Sequence, residues 1–405
     1  MNDLIVVINA GSATIKFAAY ELGDNGAVTR RINRGIAEFI SDGAHFSVVD
    51  EHDAVTVNET IATRVSQSSD IQLLMDHVLQ WLSANASRRV IAFGHRVVHG
   101  GDAYCEPVVV NDSILTKLDT FAPLAPLHQP FNLAAIRSIH SLWPDIPQIA
   151  CFDTAFHQTQ PRMARMFGLP LEYFDKGVKR YGFFFLSYEY IASVLPQYLG
   201  KRADGRVIVA HLGSGASLCA MQQRKSVATT MGFTALDGLL MGTRCGTIDP
   251  GAISYFMNEE EFDSEQIAGL LYRHSGLLGV SGMSADMREL LASKLPRAAD
   301  AIDLFVYEAV RQIGGLIATL GGLDALVFTG GIGTHSPIIR QRICEGSAWA
   351  GVKLDQEANS THSSRISADE SKVSVWAIPT DEEQIIVRQT ASLITRERVT
   401  TQSVI

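Results

Sequence analysis

The chain has 405 residues, of which 46% are hydrophobic and 19% charged, with a formal net charge of −9 at pH 7. Single cores stop growing near ~250–300 residues, so two domains are expected, and the balanced composition excludes a disordered or fibrous chain. The acidic balance, without a dense Lys/Arg run, argues against nucleic acid as a partner, and no stretch of ~18 apolar residues is present to span a membrane.

The first strong pattern, LIVVINAGSATIKFAAYEL over residues 4–22, reads as a buried strand, a Gly11-Ser12 turn and a second strand. Alternation beyond the turn puts Ser12, Thr14 and Lys16 on one face and Ala13, Ile15 and Phe17 on the other. Acidic Asp3 precedes the apolar run, where a signal peptide would carry basic residues. The five cysteines (Cys105, Cys151, Cys219, Cys245, Cys344) form no C-x-x-C pair, which fits a reducing compartment. A cytoplasmic location is the expectation.

Ile71, Leu74, Met75, Val78 and Leu82 are spaced as one face of a helix, and a strand is predicted over 90–94. A further strand over 148–152 delivers Asp153 to its end, where ligand groups collect in open α/β sheets. The segment VIVAHLGSGASLCAM, residues 207–221, repeats the strand, Gly-Ser turn and strand of the N-terminus, so two related halves are predicted. A long amphipathic helix follows over 301–320, then a strand over 325–328 and a turn Thr329–Gly333. The polar stretch 360–374 reads as a surface loop.

Three turns place small residues where backbone must approach a ligand closely: 9–16, 211–216 and 329–333. Bare N–H groups and Ser/Thr hydroxyls suit phosphate oxygens, although any single one is also an ordinary tight turn. None matches a Walker A or dinucleotide fingerprint. In FGHRVVHGG, Arg96 is either an anion anchor or a surface ion-pair residue beside structural histidines. In MGTRCGTID, Arg244 suits charge stabilisation on a transferring phosphoryl group, or caps a helix. Asp153 and His157 are either a general base with its partner, or an N-cap beside a helix histidine. Glu382 and Glu383 either hold a metal or open a C-terminal helix.

The order of these segments over nearly the whole chain resembles the acetate kinase family, within the sugar kinase/actin superfamily. The resemblance implies an α/β fold of two duplicated ribonuclease-H-like (actin-like ATPase) domains with a cleft between them. Their implied bounds are 1–153 plus about 385–405, and 154–384, the latter binding nucleotide and dimerising. It implies reversible phosphoryl transfer from ATP to acetate, giving acetyl phosphate and ADP, with Mg²⁺ or Mn²⁺ as cofactor and a homodimeric assembly. VINAGSATIKF resembles the first phosphate segment, implying Asn9 at the metal and Ser12, Thr14 and Lys16 near the phosphates. GHRVVHGG implies Arg96 as the carboxylate ligand, and FDTAFH implies Asp153 as the catalytic acid residue.

HLGSGAS implies His211, Leu212, Gly213, Ser214 and Gly215 at the nucleotide, and GTRCG implies Arg244 as transition-state stabiliser. SADMR places Asp286, Met287 and Arg288 by the nucleotide. FTGGIGTH likewise places Gly331, Ile332, Gly333, Thr334 and His335. IPTDEE implies Glu382 as a second metal contact, and the acyl pocket is implied to be Val98, Leu127, Phe183 and Ala235. Transfer would be direct and in line.

The sequence departs from the family at RYGFFFLSYEY. The usual His-Gly after Tyr-Gly-Phe is replaced by Phe184-Phe185, and the replaced His is counted among the family's transition-state stabilisers. Ser214 stands for Asn, Ala235 for Pro, Thr247 for an acidic residue, and Thr334-His335 for Glu-Asn. A propionate or other short-chain acyl kinase, and a nucleotide-binding paralogue impaired at Phe184, are the competing expectations; a sugar kinase is a third.

Overall fold

The computed structural model describes residues 3–11, 14–23, 26–40, 43–61, 71–85, 88–126 and 128–402, with side chains described up to 396. The chain divides into two compact units, residues 1–155 with 381–405, and residues 156–380. Both are α/β, and each is built on one mixed sheet.

The first unit's strands are β1 (Leu4–Ala10), β2 (Thr14–Leu22), β3 (Val28–Ile40), β4 (Gly43–Asp50), β5 (Val55–Ile61), β6 (Val90–Val97), β7 (Val108–Val109) and β8 (Gln148–Phe152). Their order across the sheet is β5-β4-β3-β2-β1-β6-β8-β7. Neighbours from β1 through β5 are antiparallel, whereas β6 runs parallel to β1 and β8 parallel to β6. The continuous apolar run of β1 follows from cover on both faces. The helix Gln129–Leu142 packs on β1 and β6, and so does the C-terminal helix Glu382–Gln402. Gly94 of β6 is where the C-terminal helix sits closest, since a Cβ there would strike Thr390 and Ile386. On the antiparallel side, Phe17 and Phe46 stack at 6.0 Å beneath the helix Ile71–Asn85, whose Trp81 reaches both rings.

The second unit repeats the plan with β9 (Val207–Leu212), β10 (Ala216–Gln222), β11 (Lys225–Thr229), β12 (Ala325–Thr329) and β13 (Ser374–Ala377). The order is β11-β10-β9-β12-β13, with β9, β10 and β11 antiparallel and β12 and β13 parallel to β9. The amphipathic helix spans Pro296–Leu320 and buries Ile302, Phe305, Ala309, Ile313, Leu316 and Leu320. Its contacts include β9, β10 and β11.

Two expectations need correction. The Gly-rich segment after β12 is the start of a helix, Gly330–His335, rather than a turn. Gly330 permits it: its φ is 76°, and a Cβ would stand 2.6 Å from the Leu212 carbonyl oxygen. The polar stretch 360–374 is more than surface loop. Ile366 is fully buried, and bridges join Leu354 to Ser367, Arg365 to Trp376 and Val352 to Val373. Backbone pairing carries that segment where its side chains give no period.

Candidate active site

In the first unit, three sequence-predicted residues meet at the ends of the central strands. Asn9 and Arg96 each lie one residue before the end of β1 and β6, and Asp153 follows β8. Parallel β1, β6 and β8 bring their ends to one edge although the residues lie far apart in sequence. The Arg96 guanidinium donates from Nε to Asp153 Oδ2 at 2.7 Å, with Nη2 at 2.5 Å from the same oxygen, and from Nη1 to Asn9 Oδ1 at 3.2 Å.

Asp153 is 1% exposed, and burial raises its carboxyl above the ordinary carboxylate range; Arg96 pulls it down and Glu382 pushes it up. Burial opposes charge on Arg96, yet Asp153 and Glu382 hold its pKa up. The pair therefore keeps its guanidinium charged, with Glu382 in electrostatic reach of both groups. Lys16, paired in register with Asn9 across the β1–β2 hairpin, is exposed and acts on the neighbouring Glu383. Thr14 is half-buried at the start of β2. Ser12 and Leu127 lie outside the described residues.

His157 is not Asp153's partner. It sits in the second unit, where its Nδ1 pairs with Ser226 Oγ at 2.8 Å and its Nε2 with the Phe183 carbonyl at 2.9 Å. Burial pushes its pKa to about 4, so it is neutral and structural.

Two residues that the sequence reading missed hold this edge together. Asn132 accepts from the Val98 N–H at 2.9 Å and donates to the Ala10 carbonyl at 2.6 Å, tying the end of β1 to the residue after β6. Gln129 pairs with both the N–H and the C=O of His99, each at 3.0 Å. Their signal was a polar pair at i and i+3 on an otherwise apolar helix face, where a buried amide needs a partner.

In the second unit, the turn after β9 is closed by Gly213 N–H donating to Gly215 O at 3.0 Å, and Ser214 is exposed at its tip. Leu212 and Gly215 are buried in its walls. The start of the helix Gly330–His335 lies beside it, because β12 pairs Thr329 with His211 and the Gly331 nitrogen is 3.9 Å from where a Cβ on Gly213 would be. Gly331 and His335 are exposed, Ile332 and Thr334 half-buried and Gly333 buried. The loop carrying Arg244 docks on the same turn through Gly242 N–H to Ser214 O at 2.9 Å. Arg244 Nη1 donates to the Ala235 carbonyl at 2.8 Å, so the predicted phosphoryl-stabilising and acyl-pocket residues are neighbours. That bond holds this arginine within its own loop.

Phe184 caps the helix Phe185–Leu199 with φ 64° and ψ 30°, in the left-handed region that costs a non-glycine residue roughly 1–2 kcal/mol. Its ring stacks on His211 at 4.4 Å. Phe185 points instead into the core, 5% exposed beside Phe156. Phe183 and Val98 are buried, while Ala235 is half-buried.

Asp286 caps the short helix Met287–Ala292 by accepting from Arg288 N–H at 2.8 Å. The Arg288 side chain holds its carboxyl down at about 2. Met287 is buried, which leaves its backbone rather than its side chain to meet a ligand, and the Arg288 side chain is exposed.

Among the described residues, no group of three or more His, Cys, Asp or Glu is arranged to hold a metal. The donors beside Arg96 are oxygens: Asn9 Oδ1 and the Asp153 and Glu382 carboxylates. An oxygen-only set with few carboxylates suits Mg²⁺ or Mn²⁺, which keep several waters or substrate oxygens as ligands, and does not suit a thiolate or imidazole metal.

The chain resembles known proteins over nearly its whole length. It is 52% identical to an acetate kinase of Rhodopseudomonas palustris, covering 96% of this chain and 98% of that one. It is 41% identical to an acetate kinase of Rickettsia felis over 96% and 99% of the two chains. Among solved structures, a propionate kinase from Francisella tularensis superposes with a TM-score of 0.86 at 33% identity, covering 96% of this chain and 98% of that one. Porphyromonas gingivalis acetate kinase gives 0.85 at 32%, covering 97% and 100%. The family model of the acetokinases matches residues 4–388. The sheet plan repeated in the two units, the Asn9–Arg96–Asp153 edge and this likeness lead to one conclusion: the chain belongs to the acetokinase family, phosphotransferases with a carboxyl group as acceptor.

Proposed function

We propose that this protein is an ATP-dependent acetate kinase, transferring the γ-phosphoryl group of ATP directly to the acetate carboxylate. A carboxylate oxygen attacks phosphorus as the bond to the ADP oxygen breaks, and acetyl phosphate and ADP leave. The observation that carries this reading is Arg96: two of its N–H groups are held by Asp153 and another by Asn9, which fixes the guanidinium plane at a strand edge. A guanidinium held in this way offers its remaining N–H groups to an incoming carboxylate.

In this reading Asp153 orients Arg96, and the turn Gly213–Gly215 presents the backbone N–H groups of Ser214 and Gly215 to the phosphates. Thr14, Lys16 and Arg244 balance the charge that moves from the γ-phosphate to ADP. Asp286, Met287, Arg288 and the Gly331–His335 segment line the nucleoside side. Mg²⁺ or Mn²⁺, held by Asn9 and Glu382 with Asp153, would offset negative charge on the phosphate oxygens. Val98, Phe183 and Ala235 would enclose the acyl group, with Leu127 as the fourth member.

Propionate is the second reading, favoured by Ala235 in place of the family's bulkier Pro. One methylene shifts discrimination by only ~1–3 kcal/mol, so both acids are expected to react. We also infer a homodimer and a cytoplasmic location. Exposed Tyr255, Tyr307 and Trp349 on the second unit support the first; absence of a described helix long and apolar enough to cross a membrane is compatible with the second.

Hydroxylamine trapping of acyl phosphate from ATP with acetate and with propionate tests the reading. Formation with either acid, strongly reduced by Arg96→Ala, is expected, whereas no acyl phosphate from any short carboxylate would overturn it. Light scattering on the purified protein tests the dimer.

A further inference from the structure

The Phe184 ring lies beside three predicted site groups, His211 and Gly215 of the nucleotide turn and the transition-state arginine Arg244. It lies over the His211 imidazole with an interplanar angle of 29°. A Cβ on Gly215 would stand 2.9 Å from Phe184 Cζ and 3.3 Å from an Arg244 terminal nitrogen. A side chain at position 215 would require that ring to shift. A phenyl ring at residue 184 donates no hydrogen bond, so any neutral donor aimed at the phosphates from this side has to come from a neighbour.

His211 is that neighbour. Its Nδ1 is 2.8 Å from the hydroxyl of Ser187, a fully buried residue in the first turn of the helix that Phe184 caps. Burial pushes the imidazole to about 4, which leaves it neutral with a single N–H. If Nδ1 carried the proton, Ser187 would accept it, and Nε2 would turn a bare lone pair toward the phosphate turn. If Ser187 donates, Nε2 carries the proton and faces the turn as a donor. Nε2 is the nitrogen near the turn, 3.8 Å from where a Cβ on Gly213 would be. Anionic oxygens bound there favour the second arrangement.

We propose that Ser187 and Phe184 are positioning residues for His211. Ser187 fixes the Nε2–H tautomer by donating to Nδ1, and the stacked Phe184 ring holds the imidazole plane, so that His211 presents one neutral N–H to the nucleotide phosphates. The inference rests on the phosphotransferase reading above and names how this chain works with phenylalanine at position 184.

The test reads the tautomer directly, by long-range ¹H–¹⁵N correlation on protein labelled at histidine, with ADP bound, the His211 signal being assigned from a His211→Gln sample. An Nε2–H signal is expected in the unaltered protein. Ser187→Ala is expected to give mixed tautomers and a kcat about tenfold lower, since only the Nε2–H fraction donates, with KM for acetate unchanged. Ser187→Thr, which keeps the hydroxyl, should restore both. An Nδ1–H tautomer or an imidazolium in the ADP-bound protein would overturn the proposal. So would Ser187→Ala retaining a pure Nε2–H tautomer and full kcat. The tautomer is read whether or not the protein turns over, so a failure of the kinase reading, seen as no acyl phosphate, is separable from a failure of this one.

Discussion

Asp153 Oδ2 accepts two N–H groups of Arg96, at 2.7 Å from Nε and 2.5 Å from Nη2, in a setting where the carboxylate is almost wholly buried. Removing one partner of such a pair leaves an uncompensated charge, which costs about 3–5 kcal/mol. Arg96→Ala is therefore expected to destabilise the protein as well as to impair carboxylate binding. Burial and Glu382 already raise the Asp153 carboxyl, and loss of Arg96 raises it further. An acid whose folded pKa lies above its unfolded value holds a proton in the fold that the unfolded chain has released, so stability falls as pH rises through that window. Urea unfolding should show a larger loss in Arg96→Ala at about pH 8 than at about pH 5. Adding Asp153→Asn should restore most of it. Equal losses at both pH values would contradict this account.

His95 and His157 give the opposite slope. Each is buried and held at about 4, below the ordinary 6.5, by desolvation. As pH falls from 6.5 the unfolded chain takes up protons that the fold refuses until about 4, so stability is lost across that interval, by up to about 3 kcal/mol per histidine. His95, whose Nε2 pairs with Gln148 Oε1 at 2.8 Å, is the cleaner probe because it belongs to the unit that does not carry His211. His95→Gln should flatten the dependence of unfolding free energy on pH between about 6.5 and 4.5. An unchanged slope would remove His95 from the explanation.

Arg340 is fully buried and uses its fork on Asn359 Oδ1 at 2.8 Å, Asn359 O at 2.9 Å, Gly333 O at 3.0 Å and Thr334 O at 2.7 Å. It anchors the C-terminal end of the helix whose start is the Gly330-Gly331 segment. Arg340→Met removes all four of these hydrogen bonds from the interior, a loss of about 2–4 kcal/mol, and should weaken ADP binding measured by calorimetry. Arg340→Lys should recover little, because an ammonium cannot span the same acceptors. Full recovery with lysine would show that charge alone matters there.

Phe184 and Phe185 should behave differently when reverted separately. Phe184→His restores the family's residue at a left-handed position that histidine tolerates comparatively well. If His211 already supplies a donor, kcat should rise less than about tenfold, against the ~10²–10³ expected where a donor is missing outright. Phe185→Gly empties a core site and should cost about 3–5 kcal/mol in chemical denaturation. A gain of a hundredfold from Phe184→His would count against the role given to His211.

Much of the framework was legible in the chain. The alternation after Gly11 placed Lys16 outward and Ile15 and Phe17 inward, as found, and the apolar runs of β1, β9 and β12 stand as buried strands. The matching Gly-Ser turns announced two sheets with the same plan, because local φ/ψ demands and side-chain period are written into consecutive residues. The helix Pro296–Leu320 was visible for the same reason, at a period of 3.6. Residue types also settled the chemistry on offer, with carboxylates, arginines and small turn residues set among a few histidines.

Only the tertiary structure decided who meets whom. Asp153 pairs with Arg96, 57 residues away, and not with His157 four residues on, because β6 and β8 lie side by side while His157 belongs to the other unit. Asn132 reaches Ala10 and Ser187 reaches His211 through helices laid across strands, and neither pairing has a sequence period. Sheet order and register follow from burying the whole apolar surface at once, a global optimum to which every residue contributes. The local pattern thus determined which elements form and which groups they can present; the packing of those elements determined which groups act on one another.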